Sequence, residues 1–218
     1  MNVKVCGVTR PEDAALAAEL GASLVGINFW PGSPRAVDLP TGRAVADAVR
    51  GRALVVGVFV DQPASFVQRA LDVAGLDLVQ LHGDESAADA APFAPRAIKA
   101  FRCGEAFDAA AAAPFAGCWG FLLDAAHERL HGGTGEAWRW ERAADALPGH
   151  RVLLAGGVAP GRVRELAARL RERAGAGVAL PWGVDVCSGV ERAPGVKDEA
   201  KLRALFAEVR DVEIATVA

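Results

Sequence analysis

The chain has 218 residues, 52% of them hydrophobic, a formal net charge of −3 and a pI near 5.8. That length buries one sizeable core without a second domain, and its lysines and arginines form no run that would give nucleic acid a basic stripe. No apolar stretch approaches membrane-spanning length and a strand opens within a few residues of Met1, leaving no room for a secretory leader, so a cytoplasmic protein is expected.

In chain order, short β-branched apolar runs occupy Val3 to Cys6, Leu24 to Phe29, Leu54 to Val60, Leu78 to Leu81, Ala97 to Phe101, Trp119 to Leu123, Val152 to Ala155 and Gly183 to Val186. Alanine-rich stretches separate them, and several repeat every 3.6 residues: Pro11 to Leu20, with Pro11 near a helix start, Pro160 to Arg173, and Lys197 to Val209. Eight strand–helix units predict an α/β fold, a single-domain (β/α)8 TIM barrel over residues 1–210, with 211–218 as a C-terminal tail. An open doubly wound sheet is the competing arrangement of the same elements. The arginines between Arg162 and Arg173 read as the solvated face of one helix, and Trp30, Trp119, Trp138, Trp140 and Trp182 as core or rim packing. Cys6, Cys103, Cys118 and Cys187 are scattered with no C-x-x-C pair, so neither a zinc site nor a disulfide framework is indicated.

Polar and glycine-rich clusters follow the strand ends, where a barrel carries its chemistry. Cys6-Gly7-Val8-Thr9-Arg10 follows the first strand and Trp30-Pro31-Gly32-Ser33-Pro34-Arg35 the second. Gln80-Leu81-His82-Gly83-Asp84-Glu85 follows the fourth, and Asp124 closes the sixth before His131-Gly132-Gly133-Thr134-Gly135. Gly156-Gly157 follows the seventh, and Asp185-Val186-Cys187-Ser188-Gly189-Val190-Glu191 ends the eighth. A thiol and a carboxylate facing each other across one mouth suggest acid–base work on one substrate. Taken alone, Cys6 fits a small buried hydrophobe better than a base, and Asp124 fits a cap equally well. His82 reads as a supporting residue near the substrate, a satisfied core histidine being its alternative; His127, His131 and His150 read as loop or surface residues. Gly156, Gly157, Ser188 and Gly189 offer backbone N–H groups suited to a phosphate, where the plainer reading is two glycine turns. The loop around Gly133 is flexible by composition and reads as a lid.

The order and spacing of these pieces, from Lys4 to about Lys201, resemble the phosphoribosylanthranilate isomerase family. That family shows K-x-C-G-x-T, P-x-S-P-R, Q-L-H-G, L-L-D, G-G-T-G, A-G-G, and D-V-S-S-G-V-E followed by P-G-x-K-D. Cys187 departs from the usual serine, and Glu136-Ala137-Trp138 replaces a common Lys-Thr-Phe. The resemblance implies an Amadori rearrangement needing no redox cofactor or metal, with Asp124 as general acid and Cys6 as general base. It further implies that Arg35, His82, Gly133, Gly156, Gly157, Asp185, Ser188 and Gly189 bind a small sugar-phosphate substrate, with no nucleic-acid or membrane partner. The alternatives are another phosphate-binding barrel of amino-acid biosynthesis, or a catalytically silent phosphate-ligand barrel. Indoleglycerol-phosphate synthase would want an inward lysine, for which Lys4 and Lys99 are the strand-borne candidates. Retention of both Cys6 and Asp124 argues against silence.

Overall fold

The computed structural model describes residues 1–103, 108–125, 149–175 and 181–217. Gly133 and its loop, with His127, His131, Glu136, Trp138 and Trp140, lie outside the described residues.

Eight parallel strands close into a barrel in sequence order: β1 (Asn2–Val5), β2 (Leu24–Asn28), β3 (Leu54–Phe59), β4 (Leu78–Leu81), β5 (Ala97–Cys103), β6 (Gly120–Ala125), β7 (Val152–Ala155) and β8 (Gly183–Val186). Closure comes from β1 pairing with β8, Lys4 opposite Asp185 and Val5 opposite Val186, and it rules out the open sheet. The outer layer holds α1 (Pro11–Leu20), α2 (Leu39–Val49), α3 (Ala64–Ala74), the short α4 (Ala87–Ala90), α5 (Val163–Gly175) and α6 (Glu199–Val217). Single 3₁₀ stretches, Ala91–Arg96 and Ala109–Phe115, flank β5 in place of long helices, which helps eight units fit a short chain.

Pro11 starts α1 where a backbone N–H would have no partner anyway, and the small buried Ala14 and Ala17 let the helix lie close on the strands. On α5, Val163, Leu166 and Ala167 are buried while Arg164, like Arg162 just before the helix, is exposed, as the arginine spacing predicts. The expected tail is corrected at its start: no proline or glycine interrupts the chain after Leu202, and α6 continues to Val217.

Two apolar layers result, one between strands and helices and one inside the barrel. The inner layer is Leu24, Val56, Leu78, Ile98, Ala100, Leu122, Leu153 and Ala155, with Trp119 and Trp182 packed against it at the strand starts. Those two indoles meet edge to face, ring centres 5.1 Å apart, so they act as packing. Alternation then fixes what sits above. Residues two positions beyond the inner apolar side chains, among them Gly26, Gln80 and Asp124, fall on the same inner face toward the strand ends. Lys99, between Ile98 and Ala100, points outward to Glu85, 2.7 Å away, and is not an inward lysine.

Candidate active site

The floor of the mouth is an ion pair. Register places Lys4 of β1 beside Asp185 of β8, and Lys4 Nζ donates to Asp185 Oδ1 at 2.9 Å with both residues buried. Burial works against the Lys4 ammonium, yet Asp185 and Cys6 hold it above the usual lysine range. Burial outweighs Lys4 at the other partner and pushes Asp185 up to about 7. Room for Lys4 and Cys6 comes from Gly26 on the neighbouring strand: a Cβ there would sit 2.8 Å from Cys6 Sγ and 3.2 Å from Lys4 Nζ. Gly26→Ala is therefore expected to lower kcat by displacing the thiol and to cost about 1–3 kcal/mol of stability. Steady-state kinetics and denaturant unfolding check this, and wild-type kcat in the variant would show that the site tolerates the methyl.

One step up the same ladder, Cys6 follows Val5 and Cys187 follows Val186, and Cys6 N–H still bonds Val186 O at 2.8 Å. Cys6 and Cys187 are thereby neighbours across the β1–β8 seam. Interaction with Cys187, Lys4 and Lys197, against the cost of burial, holds Cys6 well below the ordinary thiol range, while Cys187 is driven up. Cys187 Sγ lies against Gly7, where a Cβ would fall 3.0 Å from it.

A short antiparallel ribbon, β9 (Glu191–Ala193) and β10 (Val196–Lys197), closes this side. Gly195 takes φ 79° between the two strands, a left-handed turn that glycine adopts without strain, and its carbonyl accepts from Thr9 Oγ1 at 2.6 Å. The ribbon sends Lys197 inward, where Nζ bonds the Cys6 carbonyl, the Cys187 carbonyl at 3.3 Å and Glu191 Oε1 at 2.9 Å. Arg35 reaches over Gly7 and grips Glu191 through Nε at 2.9 Å and Nη2 at 2.6 Å. Against the cost of burial, Arg35 and Lys197 hold the Glu191 carboxyl below its ordinary value.

On the β4–β6 side, Gln80 Nε2 lies 2.7 Å from His82 Nδ1, and His82 Nε2 lies 3.4 Å from Asp124 Oδ2. Gln80 thus orients the imidazole so that its other nitrogen faces the carboxylate. Gly156 and Gly157 follow β7 at φ 85° and 77°, and Gly189 lies in the 3₁₀ turn Ser188–Val190 after β8. A Cβ at Gly189 would fall 2.1 Å from Val158 O, so the two loops touch backbone to backbone.

Cys6, Asp124, Arg35, His82, Gly156, Gly157, Ser188 and Gly189 accordingly lie at the strand ends of one barrel. Asp185 does too, but its carboxylate is engaged by Lys4 within the barrel. Sequence reasoning missed Lys4, Glu191 and Lys197 as parts of this cluster. Their signal was position: Lys4 lies two residues before Cys6, hence on the same face, and Glu191 and Lys197 belong to quoted motifs. His150 is exposed and packs on Phe121 near the strand starts.

A family model described as N-(5'phosphoribosyl)anthranilate (PRA) isomerase matches residues 3–208. N-(5'-phosphoribosyl)anthranilate isomerase of Citrifermentans bemidjiense is 40% identical over 213 residues, covering 98% of each chain. The enzyme of that name from Geobacter sp. is 41% identical, over 96% of this chain and 98% of the relative. Phosphoribosyl anthranilate isomerase from Thermus thermophilus superposes with a TM-score of 0.81 at 39% identity, covering 97% of this chain and 100% of its own. A phosphoribosyl anthranilate isomerase in complex with reduced 1-(o-carboxyphenylamino)-1-deoxyribulose 5-phosphate superposes at 0.80 with 28% identity, covering 97% and 99%.

Proposed function

This chain belongs to the N-(5'-phosphoribosyl)anthranilate isomerase family, and from that premise we propose how its barrel mouth turns N-(5-phosphoribosyl)anthranilate into 1-(2-carboxyphenylamino)-1-deoxyribulose 5-phosphate in tryptophan biosynthesis. The observation that carries the reading is the pairing of a thiol held toward its thiolate at the end of β1 with a carboxyl at the end of β6. One group is suited to remove a proton and the other to supply one.

Asp124 donates a proton to the furanose ring oxygen as the C1–O bond breaks, and the nitrogen lone pair closes the Schiff base. Cys6 then removes the proton from C2, and the C–H electrons form the C1–C2 double bond while the nitrogen regains its pair. C1 gains a proton and the C2 hydroxyl loses one, leaving the ketone. Nothing is oxidised overall. His82 holds the Asp124 carboxyl in place, and the backbone N–H groups around Gly156, Gly157, Ser188 and Gly189 receive the phosphate. The reaction occupies one catalytic barrel, whose last helix runs to Val217, in the cytoplasm; among the described residues no helix is long and apolar enough to cross a membrane.

Arg35 receives the benzoate carboxylate. Its guanidinium has five donors in a planar fork, and Glu191 binds only through Nε and Nη2. Arg35→Ala is expected to raise KM, at a cost of about 2–5 kcal/mol for a desolvated pair, and Arg35→Lys to recover part. An aniline analogue without the carboxylate should bind wild type and Arg35→Ala alike. An equal loss with both ligands would instead give Arg35 the task of shaping its loop through Glu191.

Turnover in deuterium oxide tests the mechanism. Acid–base transfer through Cys6 places solvent deuterium at C1 of the product to the extent that the abstracted proton exchanges before it is returned, and substrate deuterated at C2 loses label to solvent to the same extent; complete retention of that label at C1 under every exchange condition would point to a hydride shift and remove Cys6 from the role of base.

A further inference from the structure

We propose that Glu191 is the positioning residue for Arg35: lying beneath the guanidinium, it holds one edge of the fork so that the other edge meets the substrate carboxylate, and through Lys197 it ties that fork to the backbone of Cys6. The inference rests on Arg35 as the receiver of the benzoate carboxylate and adds which edge of the arginine does the reading and what aims it.

A guanidinium has two edges that can hold a carboxylate through two parallel hydrogen bonds, one made by Nε and Nη2 and one by Nη1 and Nη2. Glu191 takes the first: Arg35 Nε donates to Oε1 at 2.9 Å and to Oε2 at 3.1 Å, and Nη2 donates to Oε2 at 2.6 Å. Nη1 and the second Nη2 hydrogen form the edge that Glu191 leaves open. The Glu191 side chain is 5% exposed and that of Arg35 21%, so the carboxylate is the inner partner and the arginine the outer one. The stem of Arg35 lies across Gly7, where a Cβ would fall 2.5 Å from Arg35 Cδ, beside the residue that carries the proposed base.

Glu191 is itself fixed from several sides. Its Oε1 accepts from Lys197 Nζ at 2.9 Å and from the Gly195 N–H at 3.2 Å, and its carbonyl accepts from Lys201 Nζ at 2.7 Å. The buried Lys197 ammonium also bonds the carbonyls of Cys6 and Cys187, and the Lys197 backbone N–H donates to Asp13 Oδ2 at 3.0 Å. A continuous run of hydrogen bonds therefore joins the Arg35 fork to the Cys6 carbonyl through one carboxylate and one ammonium.

Two effects of Glu191 on a substrate carboxylate have opposite signs. Its charge repels the incoming anion, so a carboxylate that only offset Arg35 and Lys197 would, when removed, let the anion bind more tightly. Its hydrogen bonds hold a long side chain whose freedom the substrate would otherwise have to arrest, so a carboxylate that aims the fork would, when removed, let the anion bind more weakly. The double hydrogen bond to a buried, braced partner favours the second.

Calorimetric affinities for a reduced product analogue and for the same compound lacking the benzoate carboxylate give a carboxylate discrimination ratio without requiring turnover. Glu191→Gln is expected to lower that ratio about 3–10-fold, as for one side chain that the ligand must now order, and to change it no further in an Arg35→Ala background. Because Glu191→Gln strands the buried Lys197, Glu191→Gln/Lys197→Met removes both charges and is expected to lower the ratio to the same extent. A ratio equal to or above that of wild type in either folded variant would overturn the proposal. So would an equal loss of affinity for both compounds, the result expected of a carboxylate that only holds the ribbon together. Arg35→Ala separates this from the reading beneath it. If Arg35→Ala removes the discrimination while Glu191→Gln leaves it intact, Arg35 reads the carboxylate unaided and Glu191 loses its role; if Arg35→Ala keeps the wild-type ratio, the carboxylate is bound elsewhere and the reading of Arg35 itself falls.

Discussion

Replacing Cys6 by alanine is expected to lower kcat by about 10²–10⁴-fold while leaving the affinity for a reduced product analogue nearly unchanged. The contacts assigned to binding, Arg35 and the glycine loops after β7 and β8, lie elsewhere in the mouth and survive the change. A base that acts on C2 contributes when the proton moves, so its loss falls on kcat. The structure adds a pH dependence. The thiol pair, the Lys4 ammonium and Lys197 hold Cys6 well below the ordinary thiol range, so activity should persist at neutral pH. It should fall with acidification as the thiolate gains its proton, because the protonated thiol cannot accept another. Steady-state kinetics with calorimetric binding of the analogue check both parts. Wild-type kcat in Cys6→Ala would return Cys6 to the status of a small buried side chain.

Asp124→Asn should be slowed by a similar factor, about 10²–10⁴. The amide matches the carboxyl in size and still meets His82, whose Nε2 lies 3.4 Å from Asp124 Oδ2, so the thermal midpoint should change little. What the amide lacks is a proton to give the ring oxygen. A substrate analogue already opened to the Schiff base would bypass that step, and Asp124→Asn should process it far better than it processes the furanose. Equal defects with both would move Asp124 from ring opening to a later step, and near-wild-type activity would make it a cap.

The barrel was legible because parallel strands covered on both faces read as short continuous apolar runs. Most strand ends fell within one or two residues of expectation, the differences arising where residue pairing ends at Val5, one short of Cys6, or runs past Phe101 to Cys103. Cys6 and Asp124 were visible because each closes such a run. The ribbon of β9 and β10 was not, since strands of three and two residues are too short to carry a period, and Lys197 was absorbed into the start of a helix that begins at Glu199. The pair Lys4–Asp185 joins the two ends of the chain through barrel closure, a register that no local spacing encodes.

The central claim is that this barrel isomerises N-(5-phosphoribosyl)anthranilate. Substrate fluorescence, followed on adding the pure protein with spontaneous hydrolysis measured in parallel, tests it most directly. The account predicts a fluorescence decay well above the hydrolysis rate, dependent on protein concentration and matched by the appearance of the carboxyphenylamino-deoxyribulose phosphate. Decay no faster than hydrolysis, with anthranilate as the only product, would contradict it.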